Sequence, residues 1–233
     1  MILYLMPGAC SLATHIALVW AEAEYTVKRL TRETVRGFVE SGGAIAIEAE
    51  HFTAQTAVGG RHWIKVEDYG RTLSGMRAEA PVDAPEAVPG KDSPCLAYDL
   101  FLFTTGNVEV TAIVGPTLNF VPDRGLRYAV SFDDEPAQVV TLVPRGYQAA
   151  NRNADWEKVV GDNARYAHST HTIARPGYHT LKFWMVDPGV VLQKLVVDLG
   201  GLRPSYLGPP ESFGPRSTVG PGFDSSTPSA RAP

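Results

Sequence analysis

The amino-acid sequence reads as mainly β: an antiparallel β-sandwich preceded by a short strand–helix–strand (βαβ) piece. Three observations lead there. Apolar runs such as Ala44 to Ile47 and Val190 to Leu192 are strand-sized. Turn residues separate them at roughly ten-residue intervals, as in sandwiches, drawn from 22 glycines and 18 prolines in 233 residues. The composition, 44% hydrophobic and 20% charged, is that of a folded globular chain rather than a disordered one.

Each element follows from local chemistry. Ile2-Leu3-Tyr4-Leu5 is an apolar strand that Pro7-Gly8 breaks. Ser11 can cap a helix whose apolar positions, Leu12, Ile16, Val19 and Trp20, recur at helical spacing. Tyr25 to Leu30 alternates as a strand does. From Gly42 onward the signals are almost all strand. Ala44 to Glu50 and His62 to Val66 are two. Cys95 to Phe103 is a long one, and the turn Thr105-Gly106-Asn107 predicts a hairpin with Val108 to Val114. Tyr128 to Phe132 and Val139 to Val143 flank the acidic turn Asp133-Asp134-Glu135-Pro136. His179 to Val186 and Val190 to Asp198 flank Asp187-Pro188-Gly189. One amphipathic helix is expected over Asp155 to Val160. Arg77 to Pro94, with Pro81, Pro85, Pro89 and Pro94, reads as a long surface loop. Beyond Leu202 the chain is rich in Pro, Gly and Ser, and past Phe213 it is expected to be flexible, having too little apolar surface to offset its ordering entropy.

Several classes of function are disfavoured. With 21 basic and 25 acidic residues the net charge is −4, which argues against a strongly basic nucleic-acid binder. No apolar run approaches the roughly 18 residues of a membrane span. Cys10 and Cys95 are too few for a disulfide framework or a zinc site. Met1 to Met6 lacks a basic leader region and runs into Pro7-Gly8, so no secretory signal is read. The expected address is the cytoplasm, or an exported form that has lost its leader.

The most suggestive local feature is Ile47-Glu48-Ala49-Glu50-His51-Phe52. In a strand, Glu48 and Glu50 share a face at roughly 7 Å. Two carboxylates so close call for a cation, and calcium takes several hard oxygens at once. Asp198, ending the last strand, is the expected third ligand. The alternative is a solvated acidic face paired with Lys or Arg, which base rates favour. Trp156 and Tyr166, in a polar stretch, are the carbohydrate-contact candidates, while Trp184 next to Phe183 reads as core. His51, His62, His168, His171 and His179 read as surface or turn residues, with metal binding the weaker alternative.

The same run, followed by Tyr69 to Met76, Pro116-Thr117-Leu118-Asn119-Phe120, Gly125 to Pro136, Gly177 to Lys182, Trp184 to Lys194 and Asp198 to Ser212, resembles the carboxy-terminal domain of glycoside hydrolase family 115, the xylan α-1,2-glucuronidases. The resemblance covers about residues 43 to 213. It implies a jelly-roll-like sandwich similar to carbohydrate-binding modules. The family's catalytic centre lies in a separate barrel that precedes this domain. A barrel takes roughly 200 residues or more, so no catalytic residue is assigned here. The implied role is that of a non-catalytic accessory domain. Xylan or glucuronoxylan, a second copy, or the family's catalytic domain are its implied partners. The paired glutamates resemble the structural-calcium position of sugar-binding sandwiches.

The first residues resemble something else. Met6-Pro7-Gly8-Ala9-Cys10-Ser11-Leu12 and His15-Ile16-Ala17-Leu18 are similar to the start of bacterial (beta-class) glutathione transferases. That resemblance places Cys10 and Ser11 beside the glutathione sulfur, where a helix amino terminus favours the thiolate. The rest of such a domain is missing, and a piece this small cannot bury a core alone. The organisation expected is therefore 1–36 transferase-like, 43–213 sandwich and 214–233 flexible tail. A transferase-like enzyme using Cys10, or a truncated product without a role of its own, are the alternatives.

Overall fold

The computed structural model describes residues 36–81, 84–212 and 214, together with the backbone of strands β1 (Ile2–Leu5) and β2 (Thr26–Arg29). β1 and β2 pair in parallel, Ile2 opposite Thr26 and Leu5 opposite Arg29, as a crossover unit requires. The expected helix between them, with Cys10 and Ser11, lies outside the described residues.

The body is two six-stranded sheets packed face to face. Sheet I runs β11 (Gln138–Val143), β10 (Leu126–Phe132), β13 (Gly177–Met185), β8 (Cys95–Leu102), β3 (Phe38–Val39), with β5 (Ala54–Gln55) also on β8. Sheet II runs β12 (Arg165–Ile173), β9 (Gly106–Val114), β14 (Val191–Asp198), β7 (Gly75–Glu79), β6 (His62–Val66), with β4 (Ala44–Glu48) also on β14. All pairings within them are antiparallel except β3 with β8. The inward residues form one core, including Ile45, Ile47, Leu96, Tyr98, Leu100, Tyr128, Phe132, Phe183, Leu192 and Leu195. Tyr128 stacks on Phe183 at 4.7 Å between centroids. Tyr98 on β8 donates its hydroxyl to the Ala49 carbonyl beyond β4 at 2.8 Å, joining the two sheets. The fold is thus the expected sandwich. No helix among the described residues is long and apolar enough to cross a membrane.

The single described helix, α1 (Ala154–Asp162), lies where it was expected. Asn153 caps its start, and Asn163 ends it in the left-handed conformation at φ 49°.

Several expectations are corrected. β8 and β9 do not form a hairpin: they lie in opposite sheets, β8 against β13 and β9 against β12 and β14. β4 stops at Glu48, because a turn follows in which the His51 N–H returns to the Glu48 carbonyl at 3.0 Å. The first residues of the presumed surface loop, Arg77 to Glu79, are the end of the strand β7 (Gly75–Glu79). The nine-residue β12 was not expected at all. Trp184 is not in the core. It faces outward, half-buried, with its indole N–H on Ser131 Oγ at 3.0 Å, while Phe183 fills the interior.

Residues 203–212 are also more ordered than their composition suggests. This segment returns across the outside of sheet II, where Ser212 N–H donates to the Ala46 carbonyl at 2.9 Å and Ala46 N–H donates to Ser212 Oγ at 3.0 Å. Leu202 packs on a small outer cluster of Ala46, Ile113, Ala164 and Val196.

Candidate functional site: a tyrosine–arginine platform on sheet II

The groundwork is laid by β14. Leu192 and Leu195 both face the core, so two residues, Gln193 and Lys194, lie between consecutive core positions. The ladder with β9 shifts register at this point, a β-bulge that turns both side chains outward.

Lys194 sits directly opposite Glu48 on β4. Both are almost wholly buried, at 3% and 4% exposure. The ammonium reaches Glu48 Oε1 at 2.9 Å, and the Thr72 hydroxyl donates to the same carboxylate at 2.7 Å. Lys194 Nζ also donates to the carbonyls of Pro209 at 3.3 Å and Leu207 at 3.4 Å. A cross-strand ion pair thereby clamps the returning segment. A buried pair of this kind survives only when its remaining hydrogen-bonding capacity is met, as it is here.

The other two proposed calcium ligands lie apart from it. Glu50, past the end of β4, pairs with Lys65 at 2.5 Å. Burial works against its charge, but the Lys65 ammonium and the Ser74 N–H hold its carboxyl below the usual value. Asp198 Oδ1 accepts the N–H groups of Gly200 at 2.8 Å and Leu202 at 3.2 Å, closing the turn after β14. It lies four residues beyond Lys194, roughly 13 Å along the strand, and so does not join Glu48 at one ion. Among the described residues no group of three or more His, Cys, Asp or Glu is gathered for a metal. The strand alternation that would have placed Glu48 and Glu50 on one face ends with β4. Lysine pairing, the alternative reading of these acids, is what the geometry displays.

The returning segment carries Tyr206, 69% exposed. Arg71 stacks its guanidinium on this ring, 4.2 Å from the centroid, and donates to the Tyr206 carbonyl. The same guanidinium donates to the hydroxyl of Tyr166, an outward residue of β12 that is 42% exposed. Arg71 is itself held from behind, because its N–H donates to Gln193 Oε1 at 3.1 Å. Gln193 Nε2 in turn donates to the carbonyl of Asn163, the cap of α1, at 3.1 Å. The result is a pair of exposed tyrosines fixed by one arginine, with the cation–π contact adding to the hydrogen bonds.

Of the predicted carbohydrate-contact residues, Tyr166 therefore belongs to this platform. Trp156 is placed on α1, half-buried, with its N–H on Asn153 Oδ1 at 3.3 Å. No ring contact links it to Tyr166 among the described residues. Arg71, Gln193, Lys194 and Tyr206 were missed by sequence reasoning. The one available signal was the run Val191-Leu192-Gln193-Lys194-Leu195, in which two polar residues interrupt an apolar strand.

The five described histidines are individually partnered. His51 Nδ1 meets the Glu211 carboxylate at 2.8 Å, and Glu211 holds its pKa above the usual value despite partial burial. Glu211 also accepts the Glu48 N–H at 2.9 Å. His179 pairs with Asp133 at 2.7 Å. His168 meets Thr111 at 3.0 Å, and His62 lies 3.4 Å from Glu79. His171 is buried against Phe132, with Nε2 2.9 Å from Ser169 Oγ, and burial lowers its pKa. Cys95 is buried and its thiol is pushed up to about 12, first by desolvation. That is the opposite of what a nucleophile needs.

Residues 37–211 match the family described as glycosyl hydrolase family 115 C-terminal domain, so the chain belongs to that family. Similar solved structures include a family 115 4-O-methyl-α-glucuronidase with specificity for decorated arabinogalactans. It is 17% identical over 75% of this chain and 19% of that one, with a TM-score of 0.47. A family 35 carbohydrate-binding module from Clostridium thermocellum is 12% identical over 66% of this chain and 97% of that one, with a TM-score of 0.41. An exo-β-1,3-galactanase from Phanerochaete chrysosporium is 11% identical over 70% of this chain and 29% of that one, with a TM-score of 0.42. The chain thus spans about a fifth of the glucuronidase's length. No curated protein matches.

Proposed function

We propose that this chain is a non-catalytic accessory module of a family 115 glycoside hydrolase, and that it holds polysaccharide against the Tyr166–Tyr206 platform. One observation carries the reading: a single guanidinium fixes two exposed aromatic rings in place. Rigid aromatic surfaces lose little conformational freedom when a ligand covers them, so contact area converts to affinity rather than to ordering cost. The family match supports a glycan as the ligand, with xylan or glucuronoxylan as the first class to test. Affinity electrophoresis of the intact chain in glucuronoxylan is the direct experiment. Retardation is expected, with Tyr206→Ala and Tyr166→Ala each removing most of it. Unretarded migration, together with self-association in sedimentation, would instead support a dimer-contact role.

For residues 1–36, the parallel register of β1 with β2 supports a βαβ unit of the transferase-like kind. Conjugation of glutathione that is lost in Cys10→Ala is the outcome that reading requires.

A further inference from the structure

A second site lies away from the platform, at the end of the sandwich where β7 leaves sheet II, the β9–β10 connection crosses, and the β13–β14 turn closes. There the chain walls a cavity of about 790 Å³. That volume is within the ~300–1,000 Å³ range of small-ligand sites.

Its floor is an aromatic ring. Phe120 is 61% exposed. The Cδ2–Cε2 edge of the ring lies against Gly189, which has φ +88°; a Cβ there would stand 2.7 Å from Cδ2, so only glycine lets the ring settle. The backbone of Gly189 is held on both sides. Its N–H donates to the Ala78 carbonyl at 2.9 Å, and its carbonyl accepts the Thr117 hydroxyl at 3.0 Å.

The wall carries two arginines, Arg124 and Arg77, and one acid, Glu79. Arg124 donates through Nε to Asp187 Oδ1 at 2.6 Å and through Nη2 to the Ala84 carbonyl at 3.3 Å. Its Nη1 is left without a partner among the described residues. Asp187 is fully buried, whereas the Arg124 side chain is 31% exposed. The negative member of the pair therefore lies beneath and the positive member faces the cavity. Arg77, 45% exposed, stands at the rim beside Glu79.

We propose that this cavity binds a carboxylated sugar residue. The carboxylate would meet Arg124 Nη1 with Arg77 beside it, and the apolar C–H face of the ring would lie on Phe120. Charge-assisted hydrogen bonds from a guanidinium suit a carboxylate in strength and shape. The planar ring suits a sugar's apolar face. Glu79 and the Ala84 carbonyl offer acceptors to hydroxyl groups. This site uses none of the platform residues and stands whether or not the platform binds glycan.

Titration of the intact chain with D-glucuronate and with D-glucose, followed by amide NMR and calorimetry at fixed pH and ionic strength, tests the proposal. Glucuronate is expected to shift the signals of Phe120, Arg124 and Gly189 and to bind about tenfold tighter than glucose, the worth of one charge-assisted hydrogen bond. Phe120→Ala should weaken both sugars, Arg77→Gln should weaken glucuronate alone, and Arg124→Gln should erase the preference. Because Arg124 also neutralises Asp187, its variant is judged only if its melting curve remains cooperative, and the other two carry the test otherwise. Equal affinity for the two sugars, no binding of either, shifts confined to other parts of the chain, or undiminished binding in Phe120→Ala would each overturn it.

Discussion

Glu48 and Asp187 both hold a carboxylate away from water, at 4% and 0% exposure, and they do it differently. Glu48 is matched by a lysine that is buried with it, and the ammonium is surrounded by oxygens of Glu48, Leu207 and Pro209. Asp187 is matched by two arginines, Arg124 and Arg127, that remain partly exposed, at 2.6 and 2.8 Å. The first arrangement turns all of its charge inward and binds one part of the chain to another. The second keeps positive charge on the surface and lends it to a cavity. Buried ion pairs thus serve as internal fastening or as a support for an outward-facing cation, according to which partner keeps its contact with water.

That contrast can be broken by removing the cations one at a time. Lys194→Met should have the largest effect, because it strands the Glu48 carboxylate in the interior. A loss of about 3–5 kcal/mol in denaturant unfolding is expected. Adding Glu48→Gln to that variant should restore much of the loss, since the cost lies in the uncompensated charge. Arg124→Gln should cost less, about 1–2 kcal/mol, because Arg127 still donates to Asp187.

A smaller effect belongs to the His51–Glu211 pair at the edge of the same fastening. Glu211 raises the pKa of His51. The stability the pair gives is therefore fully present below the unfolded histidine value of about 6.5 and fades as pH rises through the higher folded value. Both side chains are partly exposed, at 32% and 26%, so solvent screening keeps the gain under about 1 kcal/mol. Melting curves against pH should show it, and His51→Ala should remove it. His171 works in the opposite sense. Burial lowers its pKa, so its contribution is present above the unfolded value and is lost as pH falls. The smallest expected change is none: a chelator should leave the melting temperature where it was, because Lys194 already supplies the positive charge that Glu48 requires. A drop on chelation would restore a divalent cation to the account.

Much of the framework was legible from turn chemistry. The hairpin across Asp133-Asp134-Glu135-Pro136 and the helix behind Asn153 were both readable. What local pattern does not encode is which sheet a strand joins. Alternation in Cys95–Leu102 and in Gly106–Val114 marks an inward face for each, and both sheets offer one. β12 escaped notice because its inward positions include Ala167, Ser169 and His171, which are small or polar. Trp184 misled for the opposite reason, being a large apolar ring on the outer face. The platform was half visible. Tyr166 stood out, but Tyr206 sits in a Pro- and Gly-rich stretch held by backbone carbonyls, a glutamate and a serine, none of which a hydrophobic pattern detects.

The bonds that Ser212 and Glu211 make to Ala46 and Glu48 have a consequence for solubility. Those groups lie on the rim of β4 that points away from β14. A bare strand rim is a template on which other chains stack, the first step toward fibrils. Here one main-chain amide, one hydroxyl and one carboxylate occupy that rim. A polypeptide trimmed back to Arg203 would leave it open, and slow growth of thioflavin-positive material is the behaviour to watch for in such a shortened protein.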